Sequence, residues 1–82
     1  MHEMGIASSI LDAARTEAGR YRGGRPSRVG VRLGEWSGVD TESLRFCFEA
    51  LVAGTDLAGL QLDIDYRNRS ADLDIAYLEV ED

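Results

Sequence analysis

The spacing of the apolar residues changes along the chain, and the order of these changes restricts the fold more than any other feature. Residues 4–18 carry apolar side chains at three- and four-residue intervals, which predicts an amphipathic helix. Residues 28–33 alternate instead, which predicts a half-buried strand. The helical spacing returns over residues 41–53, directly after Asp40, whose carboxylate is suited to cap a helix N-terminus.

Two shorter alternating segments end the chain. Residues 60–66 and 73–77 alternate apolar side chains with Gln, Asp and Ala, and residues 67–70 form a polar turn between them. We therefore expect an antiparallel hairpin. At Leu78 the apolar positions change parity, which indicates either a bulge or a strand end shared with the N-terminal segment.

The order of helix, strand, helix, strand, strand predicts an α+β two-layer domain. Two amphipathic helices would pack on one face of a small three-stranded mixed sheet. The second helix is a crossover, so its flanking strands are expected to run parallel. A chain of 82 residues buries only roughly 60–65% of its unfolded surface, which is enough for one domain.

Composition excludes several functional classes. Residues 1–34 hold six arginines and three acids, whereas residues 35–82 hold three arginines and twelve acids. This acidic balance disfavours general nucleic-acid binding. The apolar runs are too short for a membrane span, and the N-terminus lacks the basic cluster of a secretory signal, so we expect a cytoplasmic protein. With one histidine, no lysine and no phosphate-binding loop, the sequence does not predict an enzyme.

Three features have both a functional and a structural interpretation. The arginine-rich loop at residues 20–28 could meet an acidic partner or a phosphate, but a solvated loop is the favoured interpretation. Phe46 lies off the apolar stripe of the second helix and indicates an edge or a partner surface, whereas Cys47 fits a core position. Four aspartates of the last two strands could hold a hard cation weakly, or form a solvated face: Asp63, Asp65, Asp72 and Asp74.

The N-terminus presents the strongest candidate site. The imidazole of His2 lies one peptide unit from the α-amine of Met1, so these groups and the His2 amide nitrogen can form fused chelate rings. Nitrogen donors in that arrangement suit Ni(II) or Cu(II). The first helix begins immediately afterwards and can hold the terminus in place. Glu3 either contributes to the site or only stabilises the positive start of that helix.

The chain also resembles a known family. Residues 1–4, 37–40, 42–46 and 48–51 together resemble the HypA/HybF family of nickel metallochaperones, which act in maturation of NiFe hydrogenase and in some bacteria of urease. The resemblance implies a Ni(II) site formed by the Met1 amine, the His2 backbone and imidazole nitrogens, the Glu3 amide and the Asp40 carboxylate. It also implies three partners: a HypB-type GTPase, the hydrogenase large subunit and the urease accessory protein UreE.

One departure from the family pattern is large. The family inserts a domain with two CxxC pairs and a structural zinc ion before the last strand, whereas residues 67–70 occupy that place here. We therefore expect a single monomeric nickel-binding domain over residues 1–82, without zinc. Gly5 also replaces a serine that is common in the family. The alternative hypothesis is a metal-independent interaction module derived from the same family.

Overall fold

The computed structural model describes residues 2–81 and confirms the predicted order of elements. The elements are α1 (Glu3–Ala18), β1 (Arg25–Gly34), a 3₁₀ turn (Glu35–Ser37), α2 (Thr41–Val52), β2 (Gln61–Arg67) and β3 (Leu73–Glu81). The two α-helices pack on a three-stranded mixed sheet, so the α+β prediction is confirmed. Within residues 2–81, neither helix combines the length and the apolar character needed to cross a bilayer.

The strand order is β2-β1-β3, with β1 parallel to β2 and antiparallel to β3. The parallel arrangement around the α2 crossover is confirmed, but the expected hairpin of the last two strands is wrong because β1 lies between them. Their connection passes across the end of β1, where Gly34 N donates to Asp72 O at 2.8 Å and Trp36 N donates to Ser70 O at 2.7 Å. A Cβ atom on Gly34 would lie 2.1 Å from Ser70 O, so the crossing requires glycine there.

A β-bulge in β3 explains the change of parity near Leu78. Gly30 lies opposite Tyr77 while Val31 lies opposite Ile75, which leaves Ala76 without an opposing residue. The extra residue returns Leu78 to the same face of the sheet as Ile75. Of the two explanations offered by the sequence, the bulge is therefore confirmed.

The core lies between the helices and one face of the sheet. Alternate residues of the central strand are almost completely buried there: Val29, Val31 and Leu33. The helices cover them with Ala7, Ile10, Leu11 and Ala14 from α1 and Leu44, Phe48 and Val52 from α2. Cys47 is half-buried and packs against this core, as expected, while Phe46 is 72% exposed on the opposite side of α2.

The other face of the sheet is open and charged. Arg32 of β1 pairs with Asp74 of β3 at 2.7 Å, and Arg28 pairs with Glu79 at 3.4 Å. The Tyr77 hydroxyl donates to the Asp63 carboxylate on this same face. Asp63, Asp65 and Asp74 therefore lie on an exposed face as predicted, where arginines pair with Asp65 and Asp74 and Asp63 accepts the tyrosine hydrogen bond.

Candidate metal-binding N-terminus

The start of α1 leaves several main-chain nitrogens outside the helical hydrogen-bond pattern. The first helical bond runs from Ile6 N to His2 O at 3.1 Å. The N–H groups of Glu3, Met4 and Gly5 precede that bond and have no carbonyl one turn earlier within the helix. The side chain of His2 is exposed and makes no capping hydrogen bond. The exposed imidazole therefore lies next to main-chain nitrogens that precede the first helical hydrogen bond.

The fold brings the N-termini of the two helices into contact. The Glu3 carboxylate accepts a hydrogen bond from the Asp40 main-chain N–H at 3.2 Å, although the two residues are 37 positions apart. The family resemblance implied that both residues surround one ion, but the sequence did not predict this hydrogen bond, because no spacing rule relates the starts of two packed helices. The Glu3 side chain thus does more than favour the positive end of its own helix.

Asp40 caps α2, as its sequence position predicted. Its Oδ1 accepts from Glu42 N at 3.3 Å, and its Oδ2 accepts from the Ser43 hydroxyl at 2.9 Å. These bonds satisfy groups of the first helical turn. Each carboxylate oxygen still has a free lone pair, so capping and metal ligation are chemically compatible.

The side chains proposed as ligands line two different depressions. His2 lines a groove between α1 and β3, together with Ile6 and Ile75. Asp40 lines a separate cleft beside β2, together with Tyr66. Across residues 2–81, no three His, Cys, Asp or Glu side chains are grouped closely enough to hold a metal ion. Met1, whose amine was predicted as a ligand, lies outside the described residues.

Comparison with known proteins identifies the family. The family described as hydrogenase/urease nickel incorporation, metallochaperone, hypA matches residues 1–72. The chain belongs to the HypA family. Proteins named Hydrogenase maturation factor HypA share 49% identity with it over 65 residues in Chlorobium limicola, 44% over 66 residues in Geotalea daltonii and 40% over 65 residues in Deinococcus radiodurans.

These alignments cover most of this HypA-family chain but only part of the relatives. The three matches span 79–80% of this chain and 54–57% of each relative. The chain therefore spans about half the length of the curated relatives that it matches. The family match over residues 1–72 covers both helices, the central strand and β2.

The donors at the N-terminus of this HypA-family protein suit a divalent metal ion that prefers nitrogen ligands. An exposed imidazole and the amide nitrogens of the first helical turn are ligands that Ni(II) accepts readily. A zinc cage of the usual structural type needs four side-chain ligands, and this helix end provides one imidazole and the Glu3 carboxylate. Main-chain nitrogens, rather than a cluster of side chains, must supply much of any site here.

Several polar groups outside the N-terminus make structural hydrogen bonds. Glu35 accepts a hydrogen bond from Arg69 N at 2.9 Å and so ties the 3₁₀ turn to the connection before β3. On the open face, hydrogen bonds from the Arg32 guanidinium hold the pKa of Asp74 below its usual range. The hydrogen bond to Asp63 raises the pKa of Tyr77.

Proposed function

We propose that this HypA-family chain binds Ni(II) at its N-terminus and delivers the ion for NiFe-hydrogenase maturation through contact with a partner protein. The observation that carries the proposal is the exposed His2 imidazole beside main-chain nitrogens that precede the first helical hydrogen bond between described residues, Ile6 N to His2 O. The relatives are named Hydrogenase maturation factor HypA, and this name supports the assignment of the ion to hydrogenase maturation.

In this proposal each residue has a distinct role. The Met1 amine, the His2 backbone nitrogen and imidazole, and the Glu3 amide are the nitrogen donors. Asp40 adds a carboxylate, and its distance from α1 is limited by the hydrogen bond between Glu3 and the Asp40 N–H. Such a surface site can release its ion to a partner more readily than an enclosed cage, which suits delivery.

Calorimetric titration of Ni(II) into untagged protein at neutral pH tests the proposal. We expect binding of about one ion per chain and its loss in His2→Ala, because the imidazole is a principal donor. A peptide extension before Met1 replaces the amine with an amide, so we expect it to abolish binding as well. Because protons compete for the same nitrogens, affinity should fall markedly below about pH 6.

The matched control is Asp12→Ala, which removes an exposed carboxylate from α1 away from the helix start. Its nickel binding should equal that of the unmodified protein. Equal binding by the tagged and untagged proteins would contradict the amine-dependent site, and undiminished binding by His2→Ala would exclude the imidazole.

The proposed partners are a HypB-type GTPase, the hydrogenase large subunit and the urease accessory protein UreE. A second candidate function is a metal-independent interaction module, which is favoured by the 72% exposure of Phe46 on α2. Capture of the GTPase by wild type and His2→Ala, each with and without Ni(II), separates the two functions. Nickel-dependent capture lost in the variant supports delivery, and equal capture in all four conditions supports the module.

We further propose that residues 1–82 act as one monomeric, non-catalytic domain in the cytoplasm. With Cys47 as its one cysteine, the chain is expected to carry no structural zinc, and the connection between β2 and β3 would stand where the resemblance implies an inserted domain. Elemental analysis of protein purified without chelators measures the zinc content directly.

A further inference from the structure

The helices leave an apolar groove uncovered between α1 and β3. Its volume is about 510 Å³, and five apolar side chains line it: Ile6, Ile10, Val31, Leu73 and Ile75. Leu73 and Ile75 remain 41% and 39% exposed although they point to the face of the sheet that the helices cover elsewhere. The groove therefore continues the core to the edge of the sheet.

The edge beside this groove can accept another strand. Within residues 2–81, β3 pairs with β1 on one side and with no strand on the other. Gly34 N donates to Asp72 O, and bonded and non-bonded pairs alternate along an antiparallel ladder. The main-chain N–H and C=O groups of Leu73 and Ile75 consequently point away from β1, towards the open edge.

The acidic side chains at this edge determine which charge a partner segment should carry. Asp72 and the residues of β3 include four acids and no base: Asp72, Asp74, Glu79 and Glu81. Arg32 and Arg28 pair with two of these acids, whereas Asp72 and Glu81 form no salt bridge with any of residues 2–81. A second copy of the chain would oppose acids with acids. Charge complementarity therefore favours a basic partner.

We propose that β3 and its groove bind an extended segment of another protein in which apolar residues alternate with Lys or Arg. The segment would add a fourth strand through the main-chain groups of Leu73 and Ile75. Its apolar side chains would enter the groove, and the intervening basic side chains would face the acids of the open sheet face. This inference concerns a polypeptide surface and does not require nickel, but His2 also lines the groove, so it is tested on metal-free protein.

The probe is a capped nine-residue peptide of alternating valine and lysine, which matches the length of β3. Fluorescence anisotropy of the labelled peptide is measured with the metal-free protein. We expect binding that weakens as salt is added, and at least about tenfold weaker binding of the alternating valine and glutamate peptide. Added amide protection at Leu73 and Ile75 in hydrogen exchange would locate the peptide at the edge.

Ile75→Thr provides the decisive variant because it keeps a β-branched residue but removes apolar surface from the groove. We expect about tenfold weaker binding of the valine–lysine peptide. The matched control is Tyr66→Thr. Tyr66 lies on the same face of the sheet as Ile75 but in β2, at the opposite edge, so this variant should bind the peptide as the unmodified protein does. Circular dichroism of both variants verifies that they fold.

Three results would overturn the proposal. The first is equal binding of the lysine and glutamate peptides, and the second is peptide binding that Ile75→Thr leaves unchanged. The third is self-association of the free protein that Ile75→Thr abolishes, because a second copy would then be the occupant. Nickel titration of the same samples is a separate measurement, so failure of peptide binding leaves the metal proposal unaffected.

Discussion

At the residue scale, the packing of Tyr77 over Gly30 shows how a missing side chain can organise a sheet face. A Cβ atom on Gly30 would lie 2.1 Å from Cε2 of the Tyr77 ring. The ring can therefore cross the central strand and place its hydroxyl against Asp63 on the far strand. One glycine in β1 thus permits a contact between the two edge strands.

We expect Gly30→Ala to lower the free energy of unfolding by about 1–3 kcal/mol, because the ring must move away and its hydrogen bond to Asp63 is strained or lost. Urea denaturation followed by circular dichroism measures the change. Gly5→Ala is the matched control: no atom lies within 4 Å of its added Cβ, and alanine favours the helix, so stability should rise by about 0.5–1 kcal/mol. An unchanged stability in Gly30→Ala would contradict the packing argument.

At the element scale, the contact between Glu3 and the Asp40 N–H joins the starts of α1 and α2. Because Asp40 also caps α2, its removal would affect stability and any metal site together. A substitution that keeps a capping oxygen and removes the carboxylate charge separates the two roles.

Asp40→Ser makes this separation, since serine caps helices about as well as aspartate. We expect its stability to stay within about 0.5 kcal/mol of wild type, whereas Asp40→Ala should lose about 1 kcal/mol. If Asp40 is a nickel ligand, both variants should bind Ni(II) more weakly in calorimetry. Full affinity in Asp40→Ser would show that the residue is only a cap.

At the scale of the whole molecule, exposed arginine–carboxylate pairs connect parts of the chain that are distant in sequence. Arg15 of α1 donates to Asp56 in the segment after α2, at 2.9 Å, and Arg32 joins Asp74 across two strands. These hydrogen bonds hold the pKa values of both aspartates below their usual range. Protonation of either carboxylate in acid removes an interaction that favours the folded state.

The sign of the resulting pH dependence follows from these lowered pKa values. Each pair contributes stability above the unfolded aspartate pKa of about 3.9, and the contribution disappears as pH falls through the lower folded value. We expect Asp74→Asn to lose stability less steeply than wild type between about pH 4 and pH 2 in urea denaturation. Asp72→Asn, which removes a nearby acid outside these ion pairs, is the control. Parallel curves for Asp74→Asn and wild type would contradict the linkage.

Much of the fold followed from apolar periodicity. The helical spacing of residues 4–18 and 41–53 matched α1 and α2 closely, because an amphipathic stripe must face a core. The parity change at Leu78 correctly indicated the bulge. Periodicity records which face of a strand is buried but not which strand is its neighbour, and the hairpin prediction failed for that reason.

The sequence by itself determined the class of fold and the cap at Asp40, and it predicted donor atoms around His2, because these depend on residue type and local spacing. Tertiary structure alone decided that β1 separates β2 from β3, that Glu3 meets the Asp40 N–H, and that a groove opens beside β3. Each of these depends on contacts between segments distant in sequence. Such contacts are selected by the packing of the whole core rather than by local patterns.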